Sequence, residues 1–269
     1  MNITSISRRL FGTAISCALA LGPAGCTGPS PHTSPVNTAI TAGPARGHTE
    51  QDFLDAIACV PAATAGSSQV IVALGSDGAP ADQARFIAIA MYESARPGQP
   101  FRRVLGPFPG VVGFKGFAQV GQKREGDRKS PTGCFTITEL FGEDPHFKPR
   151  MPYKLLAADD LWCEEPSSPH YNTWIKVPPQ QPRPSAAEQS VQDGLFWHGA
   201  VIDYNRTPVV PGAGSGIFMH KAEPDGAGTY GCVGLAAAEL DVVLLRLDPA
   251  RTPVIVMGTP EQLRLLRGR

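Results

Sequence analysis

The chain has 269 residues, with 24 basic and 24 acidic side chains and a formal net charge of zero. No basic run or interleaved aromatic stripe occurs, which excludes nucleic acid as the expected partner. Glycine (29) and proline (27) make up about a fifth of the chain and leave little room for long uninterrupted helices.

Residues 1–25 read as an export signal. Ser7-Arg8-Arg9-Leu10-Phe11-Gly12 is a twin-arginine pattern, and the apolar stretch from Phe11 to Leu21 is too short to span a bilayer. Ala24-Gly25-Cys26 resembles the end of a bacterial lipoprotein cleavage site, with Pro23 where Leu is usual. Cys26 is therefore the candidate lipidation position, and such an anchor is the only membrane contact expected. Residues 26–49 are rich in Pro, Thr, Ser, Gly and Ala and read as a flexible tether. The expected location is the periplasm, the outer face of the cytoplasmic membrane or the cell wall.

Residues 50–269 read as one β-rich domain. Asp52–Cys59 is a short helix ended by Pro61. Gln69–Leu74 and Ala84–Tyr92 are strand-like in length and β-branched content. Phe101–Leu105 and Pro109–Phe114 add short apolar runs, and Cys134–Thr138 alternates with strand period. Trp174–Val177, Gly199–Tyr204 and Gly216–His220 are further strand candidates. Ala236–Leu247 is the clearest helix, stopped by Asp248-Pro249, and Thr252–Met257 reads as a closing strand. The expected fold class is mainly β with one or two short helices (α+β), a small sandwich or barrel.

Of six cysteines, Cys17 leaves with the signal and Cys26 is lipidated or lost. Cys59, Cys134, Cys163 and Cys232 remain. No C-x-x-C spacing occurs, so no structural zinc is expected. Export permits disulfides. Cys134 and Cys163 are the candidate pair, leaving Cys59 free and closing a loop worth roughly 3–4 kcal/mol.

The chemistry concentrates at Cys232, in Thr229-Tyr230-Gly231-Cys232-Val233-Gly234-Leu235. A thiol is a strong nucleophile only as thiolate, so it needs a base or a positive neighbour. His220 closes the apolar run Ile217-Phe218-Met219 and serves as that base if the intervening loop folds back. Gly231 permits a tight turn that exposes the thiol, and adjacent N–H groups suit an oxyanion. The helix opening near Ala236 would favour thiolate. The plain alternative is a buried, inert cysteine. His198 is a second histidine candidate, more commonly a strand-end residue. Zinc held by His198, His220 and Cys232 lacks a fourth ligand, so no metal or cofactor is expected. Glu164-Glu165 are adjacent on an extended segment and point to opposite faces, which argues against a shared carboxylate site.

Three motifs together resemble one family. Gly126-Asp127-Arg128-Lys129-Ser130-Pro131-Thr132-Gly133-Cys134-Phe135-Thr136-Ile137 resembles the G-D-x-x-[ST]-P-x-G-x-[FY]-x-[IL] motif of bacterial L,D-transpeptidase catalytic domains. Ile217–His220 resembles the family's strand ending in the active-site histidine, and Thr229–Val233 its nucleophile turn. Asn205 and the Ser168–Asn172 segment are similar to those of a divergent actinobacterial branch. The resemblance implies a β-rich fold and a cysteine nucleophile that attacks the L-centre carbonyl before a terminal D-residue of a peptidoglycan stem peptide. The acyl group then passes to an amine of a second stem, or to water in a carboxypeptidase. By position, Cys232 is nucleophile, His220 general base, and the N–H groups of Gly231 and Cys232 oxyanion donors. Thr229, Tyr230 and Lys129 are candidate substrate contacts, Lys129 for a stem carboxylate. Tyr230 and Gly234 stand where the best-studied members have His and Arg, and the interval from His220 to the turn is short. The rival reading is a peptidoglycan-binding lipoprotein without turnover.

Overall fold

The computed structural model describes residues 47–177, 188–190 and 196–267. The export signal, Cys26 and residues 26–46 of the expected tether lie outside the described residues. In chain order the elements are α1 (Glu50–Ala58), α2 (Pro61–Thr64), β1 (Gln69–Leu74), β2 (Phe86–Glu93), β3 (Arg102–Val111) and β4 (Gly133–Gly142). There follow β5 (Tyr153–Leu155), β6 (Asp160–Cys163), β7 (Trp174–Lys176), β8 (Glu188–Ser190), β9 (His198–Ile202), β10 (Phe218–Lys221) and β11 (Val233–Leu235). The chain ends with α3 (Ala237–Arg246), β12 (Val254–Gly258) and α4 (Pro260–Arg264).

The fold is mostly β, as expected, with four short helices among the described residues rather than one or two. Thr49 with Asp52 caps α1 reciprocally, and Thr259 with Gln262 does the same for α4. α2 and α4 are only four and five residues long, too short to show a helical period. The two apolar runs around Phe101–Phe114 form one strand, β3. Register shifts interrupt its pairing with β2 between Phe108 and Arg103, around Pro107.

The large sheet runs β12-β1-β2-β3-β11-β10-β9-β4-β5, and β12 also pairs with β4, so the sheet closes on itself. A second sheet has the order β7-β6-β8. Alternation along the strands feeds different apolar clusters. One face of the closed sheet supplies Ile71, Ile89, Ala200, Ile202, Met219 and Val233, packed with Leu240, Val243 and Leu244 of α3. The other face of β1, β2 and β12 is covered by Phe53 and Ile57 of α1 and Leu263 of α4. The other face of β9 and β10 supplies Val201 and Phe218, which pack with Cys232 against Trp162 of β6 and Phe196.

The expected Cys134–Cys163 disulfide is absent: Cys59, Cys134, Cys163 and Cys232 are all free. Cys134 pairs with Val256 in the closed sheet and packs into the cluster under α1. Cys163 ends β6 in the three-stranded sheet, opposite Glu188. Burial among apolar neighbours pushes the Cys134 thiol up to about 12.

Candidate active site

β10 and β11 run parallel, with Met219 opposite Val233 and His220 opposite Gly234. The segment from Ala222 to Cys232 carries the chain back, so the short interval between base and thiol suffices for a parallel return. One residue before β11, the Phe218 N–H donates to Cys232 Sγ at 3.4 Å. Extending the register sets Cys232 beside Phe218. Residues 218, 220 and 232 therefore project from one sheet face, and His220 follows the thiol by one pleat.

His220 is buried. Its Nδ1 lies 2.7 Å from the Lys221 carbonyl, which only accepts, so Nδ1 carries the proton and Nε2 is the basic nitrogen of the neutral ring. Phe196 packs on the imidazole at 4.8 Å between centroids. Gly234 offers no side chain across from His220. A Cβ there would meet Val111 Cγ2 at 2.9 Å and Ala222 Cβ at 3.0 Å. The arginine of better-studied members has no room at this position.

Cys232 is only 7% exposed, which corrects the expectation of an exposed thiol. Its S–H donates to the Gly216 carbonyl at 3.2 Å. Burial pushes the thiol up to about 12; the Phe218 N–H opposes the rise, Glu164 adds to it and Lys123 opposes it. The expected help from a helix N-terminus is also corrected. β11 separates Cys232 from α3, and the dipole's effect fades within the first turn.

The nucleophile turn is held from several sides. Gly231 has φ +149°, and a Cβ on it would meet Ile217 Cδ1 at 3.0 Å and the Lys129 carbonyl at 3.1 Å. Its N–H donates to Thr229 Oγ1 at 3.1 Å, and Thr229 Oγ1 donates to the Cys232 carbonyl at 2.7 Å. Thr229 is thus a buried clamp, and the Gly231 N–H is spent inside the turn. Ser130 Oγ donates to the Gly231 carbonyl at 2.6 Å and accepts from the Gly113 N–H at 3.0 Å.

Asp127 shapes the loop that carries Ser130. It accepts from Lys123 Nζ at 2.7 Å, the Arg124 N–H at 2.8 Å and the Lys129 N–H at 2.9 Å. Burial alone would raise its carboxyl, but these donors hold it below the usual carboxylate range. Tyr230 is 65% exposed, edge-on to Phe114 and beneath the Arg128 guanidinium. Lys129 enters this structure through its backbone, which faces Gly231.

Asn172 accepts from the Gly216 N–H at 3.0 Å and from Trp162 Nε1 at 3.1 Å, and donates to the carbonyls of Tyr204 and Asn205. Asn205 donates to the Gly214 carbonyl at 2.8 Å. Both asparagines hold the loop whose Gly216 carbonyl accepts the hydrogen bond from the thiol.

His198 belongs elsewhere. Gly199 opposes His220, so His198 points to the other sheet face. There it stacks on Phe147 and meets Asp241 of α3 at 2.6 Å. His198, His220 and Cys232 cannot converge on one ion, and the described residues hold no cluster of three His, Cys, Asp or Glu placed for a metal.

The order of glycine–aspartate loop, histidine strand and nucleophile turn now has a physical counterpart in the Ser130 contact. The YkuD family model, the L,D-transpeptidase catalytic domain, matches residues 92–256. The chain belongs to the YkuD family. No curated protein and no solved structure matches it. The YkuD match begins in β2 and ends in β12, and β1 fills the place between those two strands in the sheet. A YkuD catalytic domain carries L,D-transpeptidase chemistry on peptidoglycan stem peptides. Sequence reading named Cys232 and His220 but gave no role to Ser130, Lys123 or Glu164. The Lys123–Asp127 pair forms in a loop, where four-residue spacing carries no helical signal.

Proposed function

We propose that this protein is an exported cysteine acyltransferase of peptidoglycan stem peptides, with the acyl-enzyme on Cys232 and His220 as its base. The shared sheet face of Cys232 and His220 carries this reading. The resting thiol is neutral, so its proton passes to His220 Nε2 as sulfur attacks the stem carbonyl. The Cys232 N–H faces the developing oxyanion. The departing D-residue amine takes the proton from His220, leaving a thioester. An amine of a second stem attacks that thioester and gives its proton to His220; the carbon–sulfur bond breaks, and His220 returns the proton to the Cys232 sulfur. Water in place of the amine makes the enzyme an L,D-carboxypeptidase. Arg8-Arg9 and Ala24-Gly25-Cys26 support export by the twin-arginine route and lipidation at Cys26.

One observation favours the non-catalytic binding lipoprotein instead: Cys232 is buried, and burial pushes its thiol up to about 12. Mass spectrometry after incubation with a carbapenem or a stem peptide separates the two readings. The enzyme gives one adduct, on Cys232, that Cys232→Ala abolishes. No adduct, or one on Cys59, Cys134 or Cys163, leaves the binding protein as the account.

A further inference from the structure

A set of charged side chains beside the thiol takes no part in the mechanism above. Glu164 follows β6, and its Oε1 packs against the Cα of Gly216, where a Cβ would strike it. Gly216 is the residue whose carbonyl accepts the hydrogen bond from the thiol. Lys123 is buried, its methylenes lie against Gly214 and Gly231, and its ammonium is paired with Asp127. Glu125 is satisfied by two hydroxyls, Tyr171 and Ser215. Neighbouring Glu165 points outward and accepts from Ser167. The two glutamates thus divide, as alternation requires, and only Glu164 turns toward the nucleophile.

His220 and Glu164 flank the thiol from opposite directions along the chain of β10. His220 lies one pleat beyond Phe218, and Glu164 sits at Gly216, before the strand begins. We propose that Glu164 is a positioning residue that governs the ionisation of Cys232: its protonated carboxyl permits a thiolate, and its carboxylate form opposes one. The inference rests on the reading of Cys232 as nucleophile but not on the identity of the acyl donor.

Glu164 and the Cys232 thiol both border Gly216, and negative charges on the two in a partly dehydrated site repel, so thiolate and carboxylate oppose each other. Facing this pair are Lys123, ion-paired with Asp127, Glu125 and Tyr171 from the flanking loops, and His220 from β10. Arg206 lies over Trp162 and pairs with Asp203. Burial and the Glu125 charge raise the Glu164 carboxyl to about 8, against the opposing pull of Lys123. The carboxyl is therefore protonated at neutral pH and ionises just above it.

The test is the rate of iodoacetamide alkylation at Cys232, read by peptide mapping of the full chain from pH 6 to 10. Wild type is expected to flatten above about pH 8, where a buried thiol raised to about 12 but lacking an ionising neighbour keeps accelerating. Glu164→Gln is expected to keep rising and to exceed wild type by about three- to tenfold at pH 9. Glu164→Asp should restore the plateau. Lys123→Met, checked for folding by circular dichroism, should slow alkylation throughout. Superimposable profiles for wild type and Glu164→Gln overturn the proposal. Alkylation needs no substrate, so the outcome stands apart from the transpeptidase reading. Absence of a carbapenem adduct with divergent alkylation profiles rejects that reading alone, and an adduct with coincident profiles rejects this one alone.

Discussion

Ser130 Oγ donates to the carbonyl of Gly231 at 2.6 Å, joining positions 101 residues apart. Ser130 is fully buried and also takes the Gly113 N–H. One hydroxyl thus ties the glycine–aspartate loop to the nucleophile turn.

Replacing Ser130 with Ala strands two buried backbone groups, at a cost of about 1–3 kcal/mol each. Chemical denaturation should show a lower midpoint. Acylation of Cys232 should slow as well, because the turn loses its anchor. A variant as stable and as fast as wild type would show that the clamp is idle.

The two histidines should separate by function. His220→Ala is expected to slow Cys232 acylation by about 10²–10⁴-fold. His198→Ala should leave that rate near wild type and lower the melting temperature, since it removes the contact with Asp241 on the opposite face. A rate loss in the His198 variant equal to that in the His220 variant would contradict the placement.

Asp127 should make stability acid-sensitive. Its folded carboxyl sits below the ordinary value, so its contribution is complete above the unfolded pKa of about 4 and disappears as pH falls through the folded one. Hydrogen bonds to a charged group suggest about 1.5–3 kcal/mol. The melting-temperature gap between wild type and Asp127→Asn should be full at pH 7 and close below pH 4. A gap that is constant with pH would show that the carboxylate charge is not the cause.

Gly234 should tolerate no side chain. An added Cβ meets Val111 and Ala222 inside normal contact distance, so Gly234→Ala should destabilise by about 1–3 kcal/mol. An unchanged denaturation midpoint would mean that the two strands part readily there.

Local pattern carried much of the fold. β1 has the bounds that its apolar run suggests, and α3 falls within the run of good helix formers before Asp248-Pro249. β5, β8 and β11 are three residues long, too short for any period to appear. β6 is scarcely longer and is defined by partners at Trp174–Lys176 and Glu188–Ser190 rather than by its own residues.

At the site, the sequence determined the chemistry available: a thiol after glycine, a histidine ending an apolar strand, and a motif order shared with one family. Those are properties of residue type and spacing along the chain. Tertiary structure decided which groups meet. Parallel pairing of β10 with β11 put His220 on the face of Cys232, and the same alternation sent His198 to the other. Folding also separated Cys134 from Cys163, buried the thiol and set Glu164 against Gly216. Burial and charge coupling depend on neighbours drawn from distant segments, so a thiol's ionisation exists only once Lys123, Glu164 and Phe218 have been brought around it.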